Sequence, residues 1–356
     1  MAGWRGAALA GQGVLAVLML SCGVAPGDDA PGQTDAEKPA ASEAQPGDSA
    51  GTAKPAPAAT TPAPATGDLN SRLKAAARAA VADQTYQLSY RARVDESIRW
   101  KVTHLVTVDT KIRGGEQTAK TRSVSTKSWR VTAVEENGDL TFVYQVEDVD
   151  MWQAVTGRQE VRYNSRTDEV PPREYELAAK SVGVPLATVK INRYGRVLQR
   201  DSAQPAFNPG LGELTIPLPE RPVKLGAKWH VPEEIKIRLE DGRVQRVQTR
   251  QAYTLDKVET GVATISVRTE VLTPVNDPKV HSQLVQRLTN GTVKFDLEAG
   301  RVLSRQMDLD ETVIGFSGSD SVMQYLARLS EELSTGERST GEPAAATAAK
   351  PAAPSR

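Results

Sequence analysis

The sequence predicts a mainly β protein built as two tandem antiparallel units, each a curved sheet or half-barrel, with a few short helices. Three observations carry this. Apolar and polar residues alternate at period 2 through much of the central chain. Gly-bearing turn pairs separate the alternating runs. Several strings recur in the same order about 100 residues apart, as a duplicated unit would make them.

The ends come first. Residues 1–22 read as an export signal: Arg5 makes a positive start, and Ala7 to Leu20 is an apolar run too short and Gly-interrupted to span a bilayer. It ends in Met19-Leu20-Ser21-Cys22, which resembles the lipobox of bacterial lipoproteins, whose Cys is acylated and becomes the new N-terminus. That resemblance implies a lipid anchor at Cys22, with the membrane as partner. Acyl chains would then be the only tether. Gly23 stands where an Asp would favour retention at the inner membrane, so the outer membrane is the favoured address. Residues 23–67 are Ala, Pro, Gly, Thr and acidic residues that cannot offset their own ordering entropy. They read as a disordered spacer with a reach on the order of 100 Å. The tail at 335–356 has the same character.

The first β unit is expected over 68–205. Leu69 to Val81 favours a helix with Asp68 as N-cap. Strands follow in the runs of Val102, Val106, Val108 and Ile112, then Leu140, Phe142, Tyr144 and Val146. Gly114-Gly115 and Asn137-Gly138 supply the turns. Arg173 to Val182 should be a helix, entered after Pro171-Pro172 and stopped at Gly183.

The second unit is expected over 206–334. Its strands run through Ile235, Ile237 and Leu239, and through Ala263, Ile265 and Val267, with Asp241-Gly242 as a turn. A strand is expected to begin at His281. Ser321 to Leu333 reads as a closing helix, because Val322, Tyr325, Leu326, Leu329 and Leu333 share one helical face behind Asp320.

The repeat pairs Trp100 with Trp229 and the strand from Trp129 with that from Tyr253. Most clearly, it pairs Thr188-Val189-Lys190-Ile191-Asn192 and Gly195 to Arg200 with Thr292-Val293-Lys294-Phe295-Asp296 and Gly300 to Arg305. Trp100 and Trp229 should anchor equivalent cores. The strand pattern is similar to that of the LolA-like carriers.

Four strings resemble an uncharacterised family of exported bacterial envelope proteins, known only as a domain of unknown function. They are VEDVDMW (Val146 to Trp152), GRQEVRYNS (Gly157 to Ser165), PLPERPVKLGAKW (Pro217 to Trp229) and VLTPVNDPK (Val271 to Lys279). The resemblance implies export and a two-part β architecture, and it brings no activity or site residue with it.

Composition narrows the chemistry. Lys+Arg and Asp+Glu number 44 each, so no chain-wide basic footprint exists for nucleic acid. One Cys and three His leave little for a metal or acid–base set, and no P-loop, GxSxG or HExxH occurs. No metal, cofactor or catalytic residue is predicted. His104, on an apolar strand face, reads as structural, and Ser317 and Ser319 read as loop-capping residues. Glu147, Asp148 and Asp150 form the best acidic string. Alternation would set the two Asp on one face about 7 Å apart and Glu147 on the other, most simply as a solvated edge. Arg196/Arg200 and Arg301/Arg305, at i and i+4 on matched strands, are the candidate ligand-binding residues for an anionic headgroup or glycan.

The reading is a lipid-anchored, non-enzymatic envelope protein whose partner is a protein, lipid or glycan. Two alternatives stand beside it. One is a lipid or lipoprotein carrier with an apolar pocket in its concave face. The other is an enzyme in which His104 or His230 meets carboxylates.

Overall fold

Long strands alternating core-facing and solvent-facing residues need a second layer or their own curvature to bury one face. This chain takes the second course. The computed structural model describes residues 84–202, 215–239 and 241–334, together with Ser71, which is helical. The signal at 1–22 with Cys22, the spacer at 23–67, the remainder of the helix expected over Leu69–Val81 and the tail at 335–356 lie outside the described residues. So does residues 206–214, the opening of the second unit.

The described chain is mainly β. Its first half holds β1 (Thr85–Tyr86), β2 (Ser97–Ile112), β3 (Gly115–Val134), β4 (Leu140–Val155), β5 (Val161–Asn164), β6 (Pro185–Ile191) and β7 (Val197–Ser202). Its second half holds β8 (Val223–Lys224), β9 (Lys228–Arg238), β10 (Val244–Glu259), β11 (Val262–Val271), β12 (Asn290–Asp296), β13 (Arg301–Ile314) and β14 (Val322–Leu333). Two short helices interrupt them, α1 (Glu176–Ser181) and α2 (Pro278–Leu284).

One antiparallel sheet takes twelve of these strands in the order β7-β6-β4-β3-β2-β14-β13-β12-β11-β10-β9, with β5 added on β4. β1 and β8 form a separate pair. The order has a simple origin, since antiparallel neighbours joined by short turns fall side by side. The turns sit where Gly permits positive φ, as at Gly114 (φ 80°) and Gly242 (φ 83°). Strands β2 to β7 form one meander and β9 to β13 another in the same sense. β14 lies between them, paired with β13 on one side and β2 on the other. The two expected units are therefore joined edge to edge in a single sheet.

Such a wide sheet must curl to bury its inner face. Tyr90 shows that it does. Its ring lies 6.4 Å from Trp129 on β3 and 5.4 Å from Phe295 on β12. Those strands stand four steps apart in the sheet, about 19 Å if it were flat. The largest core cluster consequently draws on both halves, from Trp100, Trp129, Phe142 and Ile191 to Tyr253, Ile265 and Phe295.

Two expectations are corrected here. Ser321 to Leu333 is the strand β14, not a helix. Its Met323, Tyr325, Ala327, Leu329 and Glu331 share one parity, and twelve residues pair with β2, which outweighs the helical spacing. His281 does not open a strand; it lies in α2. Asp277 is the N-cap, accepting from the Lys279 N–H, and Pro278 occupies the first turn. Val280 and Leu284 pack on Ile235, Ile237 and Val247, while Val285, just beyond, packs on Val106, Val108, Val313, Met323 and Tyr325. This segment fills the inner face between the two flanks. The expected Arg173–Val182 helix is present as a 3-10 turn followed by α1, and Gly183 follows it at φ 77°. No described helix is long and apolar enough to cross a membrane.

Candidate functional site

The four arginines singled out in the sequence come apart in the structure. The matched hairpins β6–β7 and β12–β13 have the same register. Val189 faces Arg200 and Val293 faces Arg305, and each ladder slips by one residue after Lys190 or Lys294. That bulge resets the alternation, so the i, i+4 arginines do not share a face. Val302 and Arg305 point inward, whereas Arg301 points away and pairs with Glu96 at 2.7 Å. Arg196 sits in the β6–β7 turn, where its N–H donates to Asn192 Oδ1. Arg200 lies on the exposed edge strand β7, opposite the core residue Val189. An Arg196/Arg200 or Arg301/Arg305 pair acting together on one ligand is therefore not formed.

Arg305 instead joins a buried polar group that sequence reasoning missed. Lys127 Nζ lies 2.7 Å from Glu331 Oε1, with both side chains almost fully buried, and Arg305 faces Glu331 across the β13–β14 ladder. Lys127 also stands 5.4 Å over the ring of Trp100. Burial lowers the Lys127 pKa most; Glu331 opposes that shift and Arg305 adds to it. Burial likewise raises the Tyr144 pKa, helped by the Glu331 charge and opposed by Arg200. Ser125 Oγ, Trp129 Nε1 and Glu331 Oε2 find no hydrogen-bond partner among the described residues. Buried polar atoms of this kind are the usual places for ordered water. No sequence signal marks Lys127, which stands in the polar-looking run Ser125-Thr126-Lys127-Ser128.

The outer face offers the open relief. Two adjoining grooves cross β3, β4 and β5, of about 600 Å³ and 340 Å³, and both reach Asp150 and Asn164. Their floor is made of cross-strand rows. Arg122 on β3 faces Trp152 on β4, which faces Arg162 on β5; next to it Val124 faces Asp150, which faces Asn164. Trp152 Nε1 donates to Glu160 Oε2 at 3.1 Å, and Arg162 pairs with the same carboxylate at 3.0 Å. Arg122 pairs with Asp150 at 2.9 Å. Asp168 Oδ2 accepts from the Asn164 N–H at 2.7 Å, closing the turn after β5.

The acidic string lies on this face, with one correction. A bulge between Val146 and Asp148 puts Glu147 on the outer side as well, where it takes Arg99 Nε at 2.9 and 3.0 Å. Asp148 pairs with Arg166 at 2.7 Å. Each of the three carboxylates thus has its own arginine, and no group of three metal-type side chains gathers among the described residues. The histidines stand apart: His104 on β2 facing Ser123 and Leu329, His230 on β9, His281 in α2. Burial lowers the His104 pKa below its ordinary 6.5. Ser317 and Ser319 lie in the β13–β14 connection, where the Ser317 N–H donates to Ser321 Oγ and Ser319 Oγ bonds Asp320. Trp100 and Trp229 are both core-packed, their indole N–H groups donating to Val302 O (2.9 Å) and Pro217 O (2.8 Å).

No family model matches the chain, and no curated protein matches it. Among solved structures, one titled "Lipid-protein interactions in lipovitellin" matches at TM-score 0.40 and 10% identity, covering 68% of this chain. The match spans a quarter (25%) of that chain's length. A likeness of that degree says nothing about what this chain binds.

Proposed function

We propose that this is a lipid-anchored protein of the bacterial cell envelope, with the outer membrane as its address, held by an acylated Cys22. On this reading the residues from 23 to 67 are a spacer, and the sheet is a non-enzymatic binding module held away from the bilayer. The only Cys in the chain stands at the lipobox position, which supports the anchor.

One structural observation carries the binding role: the two faces of the sheet are used differently. The inner face, among the described residues, is packed with large buried side chains. Trp129 stacks on Phe142 at 4.2 Å and meets Trp100 edge-on at 4.8 Å, and Val280, Leu284 and Val285 pack against strands of both flanks. An acyl-chain carrier would need that space open and apolar. The outer face instead keeps an open groove lined by Arg122, Asp150, Trp152, Arg162, Asn164 and Asp168. Polar groups held on paired strands are suited to recognising a partner at low ordering cost.

Membrane fractionation with a clickable palmitate analogue tests the anchor. The natural chain should be labelled and sediment with membranes. Cys22→Ala should be unlabelled. Label retained by Cys22→Ala, or no label on the natural chain, would refute the anchor.

A further inference from the structure

We infer that the outer groove over β3, β4 and β5 binds a neutral oligosaccharide, with Trp152 as the platform for a sugar ring. This rests on the binding-module reading above and is independent of the anchor.

Charge balance argues for a neutral ligand. The cations lining the two adjoining grooves are Lys101, Arg122, Arg162 and Arg166, and the anions are Asp148, Asp150 and Asp168. Most are already paired: Arg122 with Asp150, Arg166 with Asp148, and Arg162 with Glu160 at the rim. An anionic ligand would have to break these pairs and then meet the displaced carboxylates. A polyol need not. Its vicinal hydroxyls can donate to a carboxylate oxygen and accept from the neighbouring guanidinium while the pair stays intact.

Geometry argues for a sugar chain. Trp152 occupies the centre of a row, flanked by Arg122 and Arg162 on the adjacent strands. Its N–H is committed to Glu160, which fixes the indole plane. Sugar rings carry a face of C–H groups that packs on such a π surface, while their edges carry the hydroxyls. Asp150 and Asn164 fill the adjoining row and are shared by both grooves. The relief therefore continues from row to row along β4 as a track, which suits a linear ligand better than a compact one. The turn after β5 is locked by Asp168 on the Asn164 N–H and by Asn164 Oδ1 on the Arg166 N–H, so little order has to be gained on binding.

The test is calorimetric titration of the full-length Cys22→Ala chain with chitotetraose, cellotetraose and maltotetraose, and with a heparin tetrasaccharide as the charged probe. At least one neutral probe should bind, and more tightly than the heparin probe. Trp152→Ala should weaken that binding about tenfold. Arg162→Ala, at a highly exposed position, should weaken it about threefold and leave the melting temperature unchanged. Silence from all neutral probes at 10 mM (about the weakest binding worth counting), preference for the heparin probe, or wild-type affinity in both variants would overturn the inference. Mass spectrometry of molecules co-purifying with the chain separates the two levels of failure. A non-sugar ligand lost in Trp152→Ala overturns the sugar and keeps the binding module; no Trp152-dependent ligand of any class overturns both.

Discussion

Lys127 and Glu331 meet in the middle of an apolar face, both almost fully buried. Their 2.7 Å pair ties β3 to β14 across the intervening β2. Removing one partner leaves the other as a buried uncompensated charge, which typically costs about 3–5 kcal/mol. Glu331→Leu should lose about that much stability in urea denaturation, and Lys127→Met/Glu331→Leu should recover part of it, since the buried Arg305 opposite Glu331 keeps its charge. A double variant no more stable than the single one would show that the pair is not the unit. His104 makes a second residue-scale prediction. Burial lowers its pKa, so between pH 6.5 and its folded value the unfolded chain takes up a proton that the folded chain refuses. Stability contributed by the neutral imidazole is thus present above pH 6.5 and lost as pH falls below it. His104→Gln should lose less stability than the natural chain between pH 7.5 and 5. Equal losses would contradict the assignment.

The two matched hairpins are the elements where sequence and structure agree most closely. Their tips meet on one tether: Tyr90 N–H donates to Arg193 O at 2.7 Å and Arg91 N–H to Gly300 O at 2.9 Å. Gly195 and Gly300 occupy the tips at φ 81° and 64°, and a Cβ would stand 2.5 Å from the Tyr90 ring or 2.6 Å from Arg91 N. Gly195→Ala and Gly300→Ala should each cost more than the roughly 1–3 kcal/mol of the backbone conformation alone. Gly157→Ala, at φ 75° with nothing within 4 Å, should cost only that conformational part. Thermal unfolding of the three variants checks the order. The hairpins, most strands and α1 were legible because period-2 alternation and Gly turns are local signals. The bulges were not, since one extra residue in a ladder leaves no mark on composition, and one bulge sends Arg301 and Arg305 to opposite faces. β14 was misread for a different reason. Leu326 breaks the strand parity on the outer face and Glu331 puts a charge on the inner one, so the helical pattern fitted better until two flanking strands claimed the segment. In α2 the signal was present, in Asp277 followed by Pro278, but the turn-like Pro and Asn before it masked it. The groove could not be read at all, because Arg122, Trp152 and Arg162 become neighbours only through pairing.

At the scale of the whole molecule, the duplicated sequence and the continuous sheet make opposite demands. Strings that repeat suggest two units able to stand alone. The pairing says otherwise. β14 follows the second meander in sequence yet completes the first, lying along β2 from Val322↔Lys111 to Leu333↔Trp100. The aromatic core crosses the same boundary, with Trp100 of β2 donating to Val302 of β13 and Tyr90 wedged between Trp129 and Phe295. Each half alone would expose a long sheet edge and half of a shared core. The most direct test is denaturant unfolding of the span 68–334 beside its two halves, 68–205 and 206–334, followed by tryptophan fluorescence and far-UV circular dichroism. One sheet with a shared main core predicts a single coincident transition for the whole span and no cooperative transition for either half. A sigmoidal, native-like transition from 68–205 alone would contradict it.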